Sequence, residues 1–284
     1  MKAQKKANGN ETRSDGLIKP GHHGSLLDYM RKIWERREYL YQVPKHELRS
    51  QQMGTVLGNV WHLLNPILSI VVYAVIFGVI LKVDRGVSNF VAFVAIGVFV
   101  FSFSQKSIIT GSQSIVKNRT LIRSINFPRA LLPITSVSTE FLAFLPGLAV
   151  MFATCIATGA NPKLSWVIIP ALILVQFIFN CGATLIAARA TARYGDVKNI
   201  LPFVFRLLFY GSGVLFSVDA YVTNELMRNL FVLNPMFNIL ELYRWAILGG
   251  SISSVELFAL AAWTICLFYF GVFWFRKGES SYGA

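Results

Sequence analysis

The chain has 284 residues, of which 54% are hydrophobic and only 14% charged, with a mean hydropathy of +0.53. One soluble core cannot absorb that much apolar surface, so a soluble globular protein is excluded and a bilayer is the solvent the composition demands. The net charge of +13 does not call for nucleic acid, because Lys and Arg sit in short segments beside apolar runs, where the positive-inside rule and anionic lipid account for them.

Residues 1–24, with Gly, Asn and Lys prominent, read as a flexible cytoplasmic tail; no apolar run follows their basic residues, so no signal peptide is expected. His22 and His23 lack a third ligand partner. Ser25-x-x-Asp28 fits a weak capping box. Leu26, Met30, Ile33, Trp34 and Tyr41 then share one helical stripe, opposite Arg31, Lys32, Glu35, Arg36 and Glu38. That pattern predicts an amphipathic helix within residues 25–59, lying in the membrane interface and ended by Pro44; a soluble helix packed on a partner is the alternative.

Six stretches within residues 60–275 are long enough to span, a crossing needing about 20 apolar residues. They run over Val60–Leu81, Val87–Gln105, Ala130–Ala160, Leu164–Ala188, Asn199–Val218 and Leu257–Phe275, with tight connections at 82–86 and 161–163. Between the last two, residues 219–254 hold two half-length apolar pieces broken by Asn234-Pro235. A re-entrant hairpin over about 220–248 fits those lengths if protein covers its broken backbone; an amphipathic outer loop fits them too. Glu241 and Arg244, i and i+3 on its second half, can pair with each other, with lipid phosphates or with a substrate. Cys155, Cys181 and Cys266 all lie in apolar spans and read as small buried hydrophobes.

Charge orients the spans. With the N-terminus inside, 20 of the 27 Lys and Arg fall on the inner side and 5 on the outer, Lys106 and Arg206 lying within spans. Both termini, including the short tail 276–284, are therefore expected in the cytoplasm. Glu140 and Arg206 enter the bilayer from that same face by about 16 and 12 Å at 1.5 Å per residue. An isolated charge at such depth costs about 2.5–3.5 kcal/mol, so both should face protein or water, and their matched depth predicts a Glu140–Arg206 pair.

The segment between the second and third spans is the most informative. It carries Lys117, Arg119, Arg123 and Arg129 and no acid, while Leu121, Ile122, Ile125 and Phe127 recur near helical spacing. Pro128 removes a donor and disfavours helix at Phe127, so a short helix over about 115–128 should stop there. A basic amphipathic helix pinned between spans suits docking of a cytoplasmic partner; an ordinary positive-inside loop is the plain alternative. Catalysis finds no support: there is no phosphate loop, no Gly-Lys pair, no H-E-x-x-H and no G-x-S-x-G. Energy for uphill transport must come from another chain.

Residues 118–133, written N-x-x-L-I-R-x-I-x-F-P-R-x-x-L-P, resemble the coupling-helix region of the permease subunit in ABC-2 type polysaccharide exporters. Glu47 to Pro66, with Leu57-Gly58, Trp61 and Asn65-Pro66, is similar to that family's entry into its first span, although Ser50-Gln-Gln-Met53 stands where the family is more basic and aromatic. Leu233-Asn-Pro-Met236 followed by Tyr243-Arg244 resembles its re-entrant gate helices. The resemblance covers most of residues 45–275. It implies an all-α integral membrane protein of six spans with an interfacial N-terminal helix and gate helices before the last span. It implies a homodimer working with two copies of a separate ATP-binding subunit, which holds ATP and Mg while this chain holds no cofactor. The implied substrate is a polysaccharide on polyprenyl pyrophosphate, such as an O-antigen, a teichoic acid or cell-wall galactan, moved across the bacterial cytoplasmic membrane. Arg119, Leu121, Ile122, Arg123, Phe127, Pro128 and Arg129 then become the ATPase-coupling residues, and Asn234, Pro235, Glu241 and Arg244 the gate. A sugar chain offers hydroxyls and apolar CH faces that stack on aromatic rings, which makes Phe99, Phe103, Phe209, Tyr210 and Phe216 the expected channel lining. An ABC-2 permease for a small hydrophobic drug or lipid, and a stand-alone channel or secondary transporter, remain open on the sequence.

Overall fold

The computed structural model describes residues 26–50, 57–73, 75–76, 87, 89–125, 127–222, 224–251 and 253–282. The expected 1–24 tail, the 82–86 loop and most of the second half of the first span lie outside the described residues. Among those described, every regular element is helical. In chain order these are α1 (Leu26–Glu35), α2 (Arg37–Ser50), α3 (Trp61–Tyr73), α4 (Phe90–Ser112), α5 (Ser114–Lys117), α6 (Arg119–Ser124) and α7 (Leu131–Ala157), followed by α8 (Ile169–Arg193), α9 (Val197–Gly211), α10 (Val218–Tyr221), α11 (Glu225–Val232), α12 (Pro235–Leu248) and α13 (Ser254–Lys277).

Four helical stretches are long and apolar enough to cross a membrane: Phe90–Ser112, Leu131–Ala157, Leu164–Arg193 and Ser254–Lys277. They match the expected second, third, fourth and sixth spans, the second shifted about a turn later. At the expected fifth span, α9 has 15 residues, short of the roughly 20 needed for a simple crossing. α3 shows 13 residues of the expected first. The protein is membrane-embedded through these apolar helices.

α4 is the central post. Its apolar window is 78% buried, against 22% for α13, and it packs on α3, α7, α8, α9 and α12. Apolar side chains cannot discriminate one helix neighbour from another in lipid, so close packing and hydrogen bonds must do so. Gln176 on α8 donates to Val100 O and Ser104 Oγ of α4, both at 2.9 Å. Gly111 of α4 lies so near Thr184 of α8 that a β-carbon there would overlap its methyl group. α8 and α13 cross more closely still. A β-carbon on Gly182 would sit 2.6 Å from the Leu267 carbonyl carbon, and one on Gly271 would meet the Gly182 carbonyl.

Three expectations change. Pro44 does not end the interfacial helix; the break falls at Arg36, where Arg36 N bonds Ile33 O and Tyr39 N bonds Arg36 O, and α2 runs through Pro44. Pro44 is buried on a helix that packs along α7, and that packing offsets the backbone donor it lacks. The stripe on α1 also divides: Ile33 turns into the protein with Tyr29, while Trp34 and Tyr41 are exposed, as suits aromatic rings at a lipid headgroup level. Cys155 and Cys181 are buried as expected, but Cys266 is exposed on the outer side of α13.

Replacing Gly182 with Val should separate α8 from α13. Overpacking of this kind costs about 1–3 kcal/mol; a clear fall in melting temperature of the detergent-solubilised protein, larger than for Gly195→Val in an open loop, checks it.

Candidate functional site

Among the described residues, Arg31, Arg119, Arg123, Arg129, Arg276 and Lys277 gather at one end of the bundle, where α1, the α5–α6 segment and the residues after α13 meet. α6 ends at Ser124 and the backbone is extended at Ile125, a turn earlier than Pro128 predicts. Ile122 is buried in a cluster with Tyr29, Ile33, Ile115 and Leu131, and Leu121 and Phe127 pack against the same cluster. This corrects the expectation that Leu121, Ile122 and Phe127 form an outward docking face: they hold the segment to its own bundle. The outward face carries Arg119, Thr120, Arg123 and Ile125, all exposed, with Ile125 the large apolar one at 53%. Pro128 is half-buried and its carbonyl accepts from Leu131 N at 3.1 Å, turning the chain into α7.

Arg129 is fixed by a residue that sequence reasoning did not single out. Glu279 Oε1 accepts from Arg129 N at 2.7 Å and from Tyr29 Oη at 3.1 Å, while the Arg129 guanidinium donates to the Glu279 carbonyl. One carboxylate therefore ties the interfacial helix and the entry to α7 to the chain's end. Burial, then the adjacent Glu279 carboxylate, pushes the Tyr29 hydroxyl well above its ordinary pKa, which keeps it a donor. Tyr282 closes the knot, donating to Phe275 O at 2.9 Å.

At the opposite end, α12 is sunk between α4, α8 and α13, with Met236, Phe237, Ile239, Leu240, Leu242 and Tyr243 buried. Asn234 is its N-cap, accepting from Met236 N at 3.0 Å, and Pro235 occupies the first helical turn, where its missing donor costs nothing. The Asn234 amide also donates to Gly211 O and Ser212 Oγ at the end of α9. The last carbonyls of α12 are satisfied by side chains from the connection ahead of α8: Ser165 Oγ to Ala246 O at 2.6 Å, Trp166 Nε1 to Ile247 O at 3.2 Å and Lys163 Nζ to Leu248 O at 2.6 Å. Arg244 is the buried charge here, with 4% of its side chain exposed. It donates to Glu241 Oε1 at 2.8 Å and to Val214 O at 3.0 Å, and its guanidinium lies 3.4 Å over the Phe93 ring. The i, i+3 pairing of Glu241 with Arg244 is thus formed. α11, ahead of Asn234, leaves Met227 and Leu230 exposed.

The expected channel aromatics do not share one surface in the protomer. Phe99 and Phe103 are buried, Phe103 stacked on Phe144 at 4.7 Å. They wall a cleft of about 20 Å³ with Pro66, Lys106, Glu140 and Gly147, room for roughly one water. Phe209 meets Phe101 edge-on at 5.3 Å and Phe216 meets Phe231 at 6.4 Å, whereas Tyr210 is exposed. Similar depth along two helices does not bring residues onto one face.

The Glu140–Arg206 pair is likewise not formed. Glu140 is buried on α7, accepts from Thr110 Oγ1 at 3.4 Å and has Lys106 and Glu47 as its charged neighbours. Arg206 is exposed on α9. Lys106, on α4 beside α7, is the nearer cation. Among the described residues no cluster of His, Cys, Asp or Glu is arranged to hold a metal. Glu279 escaped sequence reading because a lone acid beyond a basic helix end carries no spacing signal, and Tyr29, at i+3 from Leu26 and i−4 from Ile33, fits the apolar stripe without announcing a hydroxyl partner; Lys163 and Trp166 sit in a connection whose role as a cap is visible only in three dimensions.

Residues 42–248 match the family model described as ABC-2 type transporter, well over half of the chain. The chain belongs to that family. An O-antigen export system permease protein RfbA of Myxococcus xanthus is 27% identical over 246 residues, covering 86% of this chain and 94% of that protein. A protein of the same name from Klebsiella pneumoniae is 25% identical over 217 residues, covering 76% of this chain and 82% of its own. The polysialic acid transport protein KpsM of Escherichia coli is 25% identical over 247 residues, covering 83% and 91%. This ABC-2 permease is therefore homologous to proteins named for O-antigen export and for polysialic acid transport.

Arg244→Lys keeps the charge but loses the planar fork that reaches Glu241, Val214 and Phe93 together. It should cost about 1.5–3 kcal/mol, the worth of a charge-assisted hydrogen bond, seen as a lower melting temperature and faster proteolysis between α11 and α12. Glu279→Ala should leave the bundle folded while exposing 117–129 to protease; unchanged cleavage there would show that Glu279 does not hold the segment.

Proposed function

We propose that this chain is the membrane-spanning subunit of an ABC exporter, working as a homodimer with two copies of an ATP-binding subunit, and that it passes a polysaccharide carried on polyprenyl pyrophosphate across the bacterial cytoplasmic membrane with both termini inside. The chain itself hydrolyses nothing; ATP and Mg belong to the partner. Six crossings per protomer, with α3 and α9 completing the count, and a gate at α11–α12 belong to this reading. The burial of α12 supports a re-entrant element, since a helix with a broken entry tolerates membrane depth only under protein cover.

The observation that carries the reading is Arg206. It stands exposed among exposed Phe203, Leu207 and Tyr210 on α9, two helical turns from Lys198. A charge at that depth cannot be left to lipid and needs protein or water. A second protomer, or a wet path between two protomers walled by aromatic rings, meets that need. Tyr210 is then the aromatic best placed to meet a sugar chain. The relatives named for O-antigen export and polysialic acid transport support the substrate class. The exposed Arg119, Arg123 and Ile125 supply the contact with the ATPase, an apolar anchor rimmed by basic charge.

Two measurements test this. Arg206→Ala should barely change the melting temperature yet weaken dimerisation or abolish export; full export by that variant would overturn the assignment of the α9 face. Replacing Arg119, Arg123 and Ile125 together with Asp should abolish stimulation of the copurified ATPase while leaving membrane insertion and stability unchanged, whereas Ile122→Asp should fail to fold.

A further inference from the structure

Charges from four helices meet beside α12. Glu256, in the first turn of α13, has Glu241 of α12, Asp219 of α10 and Arg228 of α11 as its charged neighbours. The two arginines here are paired unequally. Arg244 is buried and fixed to Glu241, Val214 O and the Phe93 ring, which leaves it no freedom to serve Glu256. Arg228 meets Asp219 through one nitrogen at 2.9 Å, with 50% and 62% of the two side chains exposed, and an ion pair so open to water holds weakly. Glu256 is the reverse case. Only 8% of it is exposed, and among the described residues no cation bridges it. Its carboxylate reaches the Ser253 backbone, closing a capping box in which Ser253 Oγ accepts from Val255 N at 3.2 Å. That bond brings no positive charge, and two of the three charged neighbours are themselves acids.

α11, which carries Arg228, is lightly held. Met227, Arg228, Asn229 and Leu230 are exposed, and its ring contacts run through Phe231, set 6.4 Å from Phe216 and 5.7 Å from Phe237. It joins α12 at Asn234, whose amide is anchored on Gly211 and Ser212, so a swing about that point moves Arg228 while α12 stays in place. We propose that Arg228 exchanges acids: it rests on Asp219 in the present arrangement and passes to Glu256 when α11 swings toward α13. α11 already packs on α10, α12 and α13, so the exchange needs the rotation of one short helix and no separation of long ones. The stronger attraction within a buried pair is offset by desolvation and by the displacement of Phe231, and two packings of one element balanced in this way form a switch. Its role in export deepens the reading of α11–α12 as a gate and rests on that reading; the exchange itself does not.

The full-length protein, with photoreactive benzoylphenylalanine in place of the exposed Met227, is reconstituted in vesicles, photolysed and peptide-mapped. The readout is the ratio of adducts on residues 254–258 of α13 to those on 218–221 of α10. Asp219→Asn, a change at an exposed position that leaves folding intact, should raise this ratio by about two- to fivefold, the range that the worth of one exposed ion pair sets. Glu256→Gln should lower it. Opposite directions are the signature, since a merely structural loss would loosen α11 alike in both variants. In an Arg228→Gln background neither change should move the ratio. A shift in the same direction by both, effects that persist without Arg228, or a ratio indifferent to Asp219→Asn would each overturn the exchange. ATP and Mg added to the complex with the copurified ATPase should raise the ratio; an exchange present in the chain alone yet blind to ATP would leave Arg228 as the switching cation and remove α11 from the gate.

Discussion

The guanidinium of Arg244 joins three separate parts of the chain: its own helix through Glu241, the turn after α9 through Val214 O, and the start of α4 through the face of Phe93. A charge so buried is tolerable only because its counterion, a carbonyl and a π-face all meet it. The requirement propagates. Gly97 of α4 has no side chain where the guanidinium and Val214 O approach; a β-carbon there would lie 3.0–3.1 Å from both. Asn234 caps α12 and reaches back to the same turn, and Lys163, Ser165 and Trp166 close its far end. α12 is thus held at its start, middle and finish by polar groups from other elements. In a low-dielectric surround, satisfied polar contacts specify position in a way that apolar packing cannot.

The basic end is built differently. There the segment before α7 rests on an apolar cluster and on Glu279, one carboxylate oxygen of which accepts from both Arg129 N and Tyr29 Oη. The two hydrogen bonds to Glu279 come from the short α1 and from the turn before α7, and each is only part-buried. Such contacts open more readily than a helix packed on all sides. Placement of the segment thus depends on one carboxylate.

The sequence made the class of fold and most span positions legible because length and apolarity are local properties: the apolar runs at 130–160 and 257–275 need no knowledge of their neighbours. It put Glu241 and Arg244 within reach of each other for the same reason, i and i+3 on one helix, while leaving lipid phosphate or substrate open as partners. What it could not carry was direction across helices. Glu140 and Arg206 were joined by depth alone, yet depth leaves the angle around each helix free, and α9 turns Arg206 outward while α7 turns Glu140 toward Thr110 and Lys106. The same missing angle sent Ile122 outward in the sequence reading when it is buried, and gathered Phe99, Phe103 and Tyr210 onto one surface they do not share. Glu279 was illegible for another reason: its partners stand 150 and 250 residues away, and no local pattern records such a contact.

α7 links the two ends, and its construction bears on how they communicate. It is one helix of 27 residues, about 40 Å long at the α-helical rise, starting immediately after Arg129 and packing along α4 for much of that length. Pro146 sits within it, removing one backbone hydrogen bond and favouring a bend there. Gly147 follows, where the Phe99 ring of α4 comes within 3.1 Å of the position a β-carbon would take. A bend at Pro146 would therefore fall beside an aromatic wall of the small cleft that also holds Lys106 and Glu140. A push at Arg129 on an unbroken helix would shift the whole rod; with the backbone weakened at Pro146, it can instead tilt the basic half against α4 while the far half stays packed. Pro146 and the acid buried on α7, Glu140, lie within two turns of each other, so a tilt about Pro146 would carry Glu140 with the basic half of the helix.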